Sequence, residues 1–392
     1  MRICIVYDCL FPYTVGGGER WYRSLAERLV RDGHEVTYLT LRQWDRDTHL
    51  DVDPRLEVVA LEPRQDLYTA GGRRRIGPPL LFGLGVLWHL ARHGRRYDVV
   101  HSASFPYFSL LAAAAVRRRR GFRIVTDWFE VWSRAYWNDY LGPIGGAIGY
   151  AVQRACARVP QRAFCMSHLH AERLREEGLR GEVTILRGAY TGGLAPAAPE
   201  AAEPVVVFAG RLIPEKRAPL GVAGVAAARA AIPELRAAFY GDGPEREAVR
   251  TAITAHGVAD VVAADGFASA EKVDQSLRHA LCMLLPSSRE GYGMVVVEAA
   301  ARGTPSVVVA GEDNAATELI EDGVNGVVVA EATPEAVAAG IVRVYDGGMR
   351  MRESTARWFA ENAAALSVEA SLETVVAAYQ SRAAATATAI PS

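Results

Sequence analysis

The chain has 392 residues, of which 50% are hydrophobic and 23% are charged, with a formal net charge of −1. This length predicts about two domains, and the composition is typical of a soluble globular enzyme. No apolar run reaches the roughly 18 residues that a membrane-spanning helix needs. We expect no nucleic-acid partner. The five cysteines show no CxxC spacing, so we expect reduced thiols and no metal site.

The charge is divided unevenly along the chain. Residues 1–190 carry 28 Lys and Arg against 20 Asp and Glu, a net charge of +8, which leaves −9 for residues 191–392. Arginine clusters at 73–75, 92–96 and 117–120 can attract an anionic acceptor or an anionic membrane surface, or can merely solvate helix ends. The N-terminal MRICIVYDCLFPY predicts a strand and no signal peptide. We therefore expect a cytoplasmic protein, with peripheral contact at the inner face of the plasma membrane left open.

Strand and helix patterns alternate through the first half of the chain. MRICIVYDCL predicts a strand, GERWYRSLAERLVRDG a helix that Gly33 ends, and HEVTYLTL the next strand. Further strands are predicted at RLEVVAL, YDVVHSA, FRIVTDW and RAFCMS, with helices between them that include 143–160. This alternation indicates a parallel sheet with helices on both faces, in an N-terminal Rossmann-like domain at 1–190.

A break in the pattern follows at 192–204, where GGLAPAAPEAAEP has no apolar periodicity and predicts a linker. The alternation restarts with PVVVFAG and continues through LRAAFYG, VVAADGF, ALCMLL, TPSVVVA and GVVVA, with helices such as 217–231 and 244–256 between them. We predict a second Rossmann-like domain at 204–365 and a helix at 366–384 that returns to the first domain. A substrate cleft is expected between the two domains.

Two glutamates stand eight positions apart in the segment PSSREGYGMVVVEAAARGTP. A strand, a glycine-bearing turn and a helix start place backbone N–H groups at the carboxyl edge of a sheet, where phosphates bind. Glu290, on the predicted loop, can accept hydrogen bonds from hydroxyls, and Glu298 can point to the same crevice. A solvated loop glutamate and an ordinary helix glutamate are the alternative explanation.

A second candidate segment, FAGRLIPEKRAPLG, carries Gly210, Arg211 and Lys216 just beyond a strand. Lys216 is one of only two lysines in the chain, the other being Lys272. A guanidinium fork and a compact ammonium suit a diphosphate and can stabilise it as it leaves, without a metal. Unremarkable charges at a helix start are the competing explanation.

Glycine turns mark further points of close backbone approach. Gly241, in GDGP, follows a strand and precedes a helix, which fits either approach to a nucleotide or a tight turn. The VGGGE loop with Gly17 and Gly18 does not have the GxGxxG spacing, but it can approach a sugar or phosphate closely. The D-x-D patterns at 45–47 and 51–53 lie far from these motifs and predict a solvated loop.

GRLIPEK, GDGP, the E-x7-E segment REGYGMVVVE and ELIEDGVNG occur in this order over about 120 residues. With the N-terminal GGGE loop they resemble the family 4 glycosyltransferases of the GT-B fold, strongly from about 205 to 330 and more loosely before. The resemblance implies transfer of a sugar from a nucleotide-diphosphate sugar to an acceptor hydroxyl, with retention at the anomeric carbon and without metal or cofactor. The acceptor is then a sugar, a glycolipid or a small molecule, in glycan, glycolipid or natural-product biosynthesis.

The resemblance also implies roles for individual residues. Arg211 and Lys216 bind the donor diphosphate, Glu290 contacts the donor sugar, and Glu298 holds the ribose hydroxyls. Other positions implied around the donor are Gly17, Gly18, Gly210, Gly241, Gly291, Tyr292, Gly293 and Met294, with Gly266 and Phe267 near the base.

One departure from the family pattern concerns RIVTDWFEVWS. Many members carry a histidine here, and the best alignment puts Phe129 at that position, with Trp128 as the alternative. The imidazole that contacts the donor sugar is thus missing, and Asp127 or Glu130 is a candidate substitute. The aromatic stretch 128–140 is either an acceptor platform or core. A sugar-nucleotide epimerase or hydrolase of the same fold and a non-catalytic nucleotide-sugar-binding subunit stay open as alternatives.

Overall fold

A computed structural model describes residues 1–45, 47–61, 75 and 77–380. The first lobe is built on seven parallel strands: β1 Arg2–Val6, β2 Glu35–Thr40, β3 Glu57–Ala60, β4 Val99–Ala103, β5 Arg123–Trp128, β6 Arg162–Cys165 and β7 Val183–Ile185. Their spatial order is β3-β2-β1-β4-β5-β6-β7. The helices of this lobe are α1 Gly17–Arg31, α2 Gly77–His93, α3 Tyr107–Arg120, α4 Arg134–Ala157 and α5 His168–Glu176.

The second lobe repeats this architecture. Its strands are β8 Val205–Ala209, β9 Arg236–Tyr240, β10 Val262–Gly266, β11 Cys282–Leu285, β12 Arg289–Glu290, β13 Ser306–Val309, β14 Asp313–Asn314 and β15 Gly326–Val329. Six of them form a parallel sheet of order β10-β9-β8-β11-β13-β15, while β12 pairs only with β14. The helices are α6 Ala218–Ala228, α7 Arg246–Ala255, α8 Ala270–His279, α9 Met294–Ala300, α10 Pro334–Leu366 and α11 Val368–Gln380.

The central strands of both sheets are apolar along their length. Residues 3–6 of β1 and all of β11 and β13 are buried, because helices cover both faces of each sheet. Every pairing within the two large sheets is parallel, as the strand–helix alternation predicts. The predicted class, two Rossmann-like α/β units, is confirmed.

Two local elements differ from the sequence interpretation. The predicted helix 143–160 begins earlier, at Arg134, because the Ser133 side chain accepts a hydrogen bond from the Tyr136 N–H and caps the helix. A kink at Gly142, with φ 74°, precedes Pro143 and divides this helix. Glu290 lies in β12, and not in a free loop, because its backbone pairs with Asn314.

The chain returns to the first lobe at its C-terminal helix. Tyr190 and Ser367 form a parallel bridge, and the Tyr190 N–H donates to the Leu366 carbonyl at 3.0 Å. On α11, Glu369 forms an ion pair with Arg28 of α1. The Tyr379 hydroxyl is hydrogen-bonded to the buried His101 of β4, so this histidine belongs to the core and not to a ligand site.

Several sequence expectations concern features of the described residues as a whole. No described helix combines the length and the apolar character that crossing a bilayer requires. Within the same residues, no group of three or more His, Cys, Asp or Glu side chains is arranged to hold a metal ion. All five cysteines lie in the described part of the chain, where they are buried and form no disulfide. Arg73 and Arg74, from the first basic cluster, lie outside the described residues.

Candidate functional site

The carboxyl ends of strands from both lobes meet at one cleft of about 510 Å³. Residues that follow β1, β5 and β6 line it from the first lobe, and residues that follow β8 and β12 line it from the second. This is the edge where parallel α/β sheets bind ligands. The predicted site residues that line the cleft are Gly17, Gly18, Glu130, Gly210, Arg211, Lys216, Glu290, Gly291, Tyr292, Gly293, Met294 and Glu298.

An ion pair occupies the centre of the second-lobe wall. The Lys216 Nζ lies 2.5 Å from Glu290 Oε1, and the buried Ser287 hydroxyl donates to the same oxygen at 2.7 Å. Lys216 ends the 3₁₀ turn Pro214–Lys216, just before α6, so its ammonium reaches back across the ends of the strands. Three N–H donors on Lys216 leave capacity for an anion beside Glu290.

Arg211 and Glu298 complete this wall. The Arg211 side chain is exposed in the cleft, and none of the described residues forms an ion pair or hydrogen bond with its guanidinium. Burial raises the pKa of the Glu298 carboxyl, and the nearby positive charge of Arg20 offsets part of this effect. Within the described part of the chain, the Glu298 carboxylate has no hydrogen-bond partner, so its oxygens can accept from ligand hydroxyls.

Glycines let the two lobes approach each other across the cleft. A Cβ added to Gly17, at the start of α1, would lie 3.1 Å from the Met294 sulfur of the opposite lobe. A Cβ added to Gly291 would lie 2.6 Å from the Phe129 carbonyl oxygen, closer than real side chains come. The absence of a side chain at Gly291 is therefore required for this approach of the two loops, while Gly17 leaves room for the Met294 side chain.

Glu130 lines the cleft but already has partners. Its Oε2 accepts from the Trp132 Nε1 at 2.7 Å and forms an ion pair with Arg289. The Arg289 guanidinium contacts two neighbouring aromatic rings, 4.9 Å from the Trp132 centroid and 4.6 Å from that of Tyr136. Burial lowers the pKa of Arg289 to about 10, so it stays cationic at neutral pH. Glu130 thus anchors an aromatic cluster beside the cleft.

Four predicted site residues lie outside the cleft. Asp127 is buried within β5, where it accepts from the Trp21 indole at 2.7 Å and lies 3.0 Å from the His101 ring. The strand ends one residue later, so Asp127 remains inside the sheet and does not line the cleft. Gly241 packs against the Gly210 carbonyl, one strand further out. Gly266 and the 80% exposed Phe267 follow the edge strand β10, also away from the cleft.

The structure also distinguishes the two candidates for the position of the family histidine. Trp128 is fully buried and its indole N–H donates to the Gln161 side chain at 2.9 Å. Phe129 follows the end of β5 and lines the cleft. The aromatic stretch 128–140 is divided in the same way, with Trp137 in the core and Tyr136 half-buried.

Some residues of the site have no counterpart in the sequence interpretation. Ser287 orients Glu290, and Tyr7 and Met166 line the first-lobe wall. Tyr7 and Met166 directly follow β1 and β6, so their positions at strand ends were a usable signal. Arg289 gave no such signal, because its partners Glu130, Trp132 and Tyr136 are distant in sequence.

Two family models match successive parts of the chain. The model described as "Glycosyltransferase Family 4" matches residues 15–190, and the model described as "Glycosyl transferases group 1" matches residues 196–364. Together they span both lobes and every residue that lines the cleft except Tyr7.

Similar proteins occur among enzymes of known activity. The alpha-D-kanosaminyltransferase of Streptomyces kanamyceticus is 28% identical over 214 residues, which are 54% of this chain and 52% of that one. The D-inositol 3-phosphate glycosyltransferase of Acidothermus cellulolyticus is 32% identical over 155 residues, which are 37% and 34% of the two chains. The matched region thus spans about half or less of the length of these relatives.

Solved structures match over nearly the whole chain. Sucrose-phosphate synthase from Thermosynechococcus elongatus superposes with a TM-score of 0.76 at 19% identity, covering 97% of this chain and 98% of that one. Anabaena HepE in complex with UDP superposes with a TM-score of 0.72 at 18% identity, covering 97% and 100%. At these identities the likeness establishes the arrangement of the two lobes and no more.

Proposed function

Because this chain belongs to the family 4 glycosyltransferases and has the GT-B fold, we propose that it transfers a sugar from a nucleotide-diphosphate sugar to an acceptor hydroxyl. The observation that carries the proposal is the convergence of Arg211, Lys216, Glu290 and Glu298 on one cleft between the lobes. Arg211 and Lys216 follow β8, Glu290 ends β12 and Glu298 lies on α9. Two cations beside two carboxylates match the charge and hydroxyl pattern of such a donor.

The proposed reaction keeps the configuration of the anomeric carbon. The bond from that carbon to the diphosphate oxygen breaks, and the acceptor oxygen bonds to the carbon on the same face. The acceptor proton passes to the departing diphosphate, so no separate protein base is needed. Arg211 and Lys216 neutralise the negative charge that develops on the leaving group, which is the role a metal ion has in other transferases.

Glu290 has a double role in this proposal. Its ion pair with Lys216 holds the ammonium in place before the donor arrives. When the diphosphate shares the Lys216 N–H donors, Glu290 keeps its hydrogen bond from Ser287 and can accept from a donor-sugar hydroxyl. Glu298, whose pKa burial raises, is suited to accept from the ribose hydroxyls.

Substitution of the two cations tests the proposal. Purified protein is first screened for thermal stabilisation by nucleotide sugars, since a bound ligand raises stability by mass action. With the donor and acceptor found, Lys216→Met lowers kcat/KM by about 10²- to 10³-fold, roughly 3–4 kcal/mol of lost charge stabilisation. Lys272→Met is a matched control, because Lys272 is the only other lysine and lies on α8 outside the cleft. Turnover in the presence of EDTA tests the absence of a metal requirement.

The alternatives predict different results in the same experiment. Consumption of donor at an undiminished rate without any acceptor indicates a hydrolase or epimerase. Stabilisation by nucleotide sugar without turnover of any donor indicates a non-catalytic subunit. Equal loss of activity in Lys216→Met and Lys272→Met contradicts the assigned role of Lys216.

The first lobe also carries a surface that suits an anionic membrane. Leu84 and Trp88 lie one turn apart on α2 and are 61% and 63% exposed. The Arg92 guanidinium lies 5.7 Å from the Trp88 ring, and neither α2 nor α3 contains an acidic residue. An apolar strip next to arginines binds bilayers that expose anionic lipids. In this proposal the α2 surface brings the cleft to a membrane-borne acceptor, and the cytoplasmic location stays a prediction.

A further inference from the structure

Phe129 has a fixed position at the junction of the two glycine loops. A Cβ added to Gly18 would lie 3.5 Å from the Phe129 ring, and one added to Gly291 would lie 2.6 Å from its carbonyl. The Tyr22 ring meets the Phe129 ring edge to face, with centroids 5.9 Å apart and planes at 82°. The ring is therefore held between the loop that opens α1 and the loop that carries the Glu290 segment.

The cleft that this ring lines has further apolar side chains, and the Tyr7 hydroxyl also lies beside Gly18. Val15, Met166 and Met294 line the same cleft. We refer to Phe129 with these three side chains as the apolar wall. The adjacent Glu130 is engaged at Oε2, to which Trp132 and Arg289 both donate, and its Oε1 lies beside Gly291. The groups suited to sugar hydroxyls, Glu290 and Glu298, come instead from the second lobe.

A hydroxyl turned toward the Phe129 ring loses hydrogen bonds to water and gains none from the ring, which disfavours binding. A hydrogen or methyl group at the same place fills the wall without this penalty. The rest of the sugar still meets the carboxylates of the second lobe. The apolar wall thus favours a hydrogen or methyl group of the sugar, whereas the carboxylates of the second lobe favour its hydroxyls.

We propose that Phe129 selects a deoxy sugar, one in which a hydrogen or methyl group replaces the hydroxyl that faces the apolar wall. This inference rests on the proposed function and names the class of donor for the same cleft. Because a hydrophobic pocket rejects an added hydroxyl by at most about 10²-fold, the expected preference for the deoxy donor is about 10- to 100-fold.

The test measures dissociation constants of intact donors by calorimetry, which requires no knowledge of the acceptor. The nucleotide is the nucleoside diphosphate that by itself stabilises the protein most. Donors of the gluco, galacto and manno series are compared with counterparts that lack the 3-, 4- or 6-hydroxyl. The wild type binds at least one deoxy donor about 10- to 100-fold more tightly than its parent.

Two variants distinguish the effect of an apolar side chain at position 129 from a general loss of folding or binding. Phe129→His supplies a hydrogen-bonding group and moves the ratio toward the hydroxylated parent by tenfold or more at that one position. Phe129→Leu keeps the wall apolar and keeps the preference. The thermal shift with the nucleoside diphosphate alone, measured on each variant, establishes that the cleft is folded.

Three results overturn the inference. Equal or tighter binding of every hydroxylated parent by the wild type contradicts it, as does an equal change for all donors in Phe129→His. In both cases nucleotide binding persists, so the proposed function stands. If no nucleoside diphosphate and no nucleotide sugar binds the wild type, the proposed function fails and the deoxy-sugar inference fails with it.

Discussion

Replacing Glu177 with glutamine is expected to remove a pH-dependent loss of stability. Glu177 is 4% exposed, and its Oε1 accepts from the Gln153 Nε2 at 2.7 Å. Burial raises the pKa of this carboxyl from 4.5 to about 7, although the hydrogen bond from Gln153 and the charges of Arg154 and Arg173 lower it, while Glu176 raises it. The native state therefore keeps a proton that the unfolded chain releases near pH 4.5.

The sign and size of the effect follow from proton linkage. Between the two pKa values the native state binds one more proton than the unfolded state, so the free energy of unfolding falls as the pH rises. Each unit of pKa difference corresponds to about 1.36 kcal/mol, and raising the pH from 5 to 8 costs the wild type about 2.5 kcal/mol through this group. Glutamine has no proton to lose, and its amide oxygen can still accept from Gln153.

Urea denaturation at pH 5, 6, 7 and 8, followed by tryptophan fluorescence, measures this difference. The free energy of unfolding of Glu177→Gln minus that of the wild type should rise by about 2.5 kcal/mol across this range. Glu172→Gln, at an exposed residue of the same helix α5, is the control and should keep the wild-type profile. Parallel profiles for the wild type and Glu177→Gln would refute the assignment of a protonated Glu177.

Gln153→Leu should destabilise the protein by roughly 3–5 kcal/mol in urea denaturation, because several buried groups, including the Trp137 indole N–H, lose their partner. A loss below about 1 kcal/mol would show that water or other groups replace this side chain. The membrane proposal predicts that Leu84→Glu with Trp88→Glu reduces sedimentation with vesicles rich in phosphatidylglycerol, while Met349→Glu on the second lobe does not. Equal sedimentation of all three proteins, or none for the wild type, would contradict it.

Much of the fold followed from local patterns. Apolar runs separated by helical periodicity predicted the parallel sheets, because both faces of each sheet are covered and the strands need no polar side. The start of α4 was misplaced, because the run from Arg134 to Leu141 is rich in aromatic residues and its cap depends on the single side chain of Ser133.

The sequence predicted some residues of the candidate site and misplaced others. Arg211 and Lys216 follow β8, Glu290 is the last residue of β12, and Glu298 lies on the helix after it. All four reach the same cleft because the carboxyl ends of parallel strands share one edge. Asp127 also stands near a strand end in the sequence, but its side chain faces the core. There its carboxylate accepts from the Trp21 indole N–H and lies 3.0 Å from the His101 ring. Whether a side chain at a strand end faces the cleft or the core depends on the residue at which the strand stops.

By itself, the sequence determined the alternating elements, the two lobes, the glycine turns and the order of the charged motifs, since these depend on neighbours within a few turns of chain. Only the tertiary structure decided that Lys216 pairs with Glu290, 74 positions away, and that Phe129 and not Trp128 reaches the cleft. It also decided which face of α2 stays exposed. These features depend on how separate segments pack, and packing at long sequence separation leaves no periodic trace in the chain.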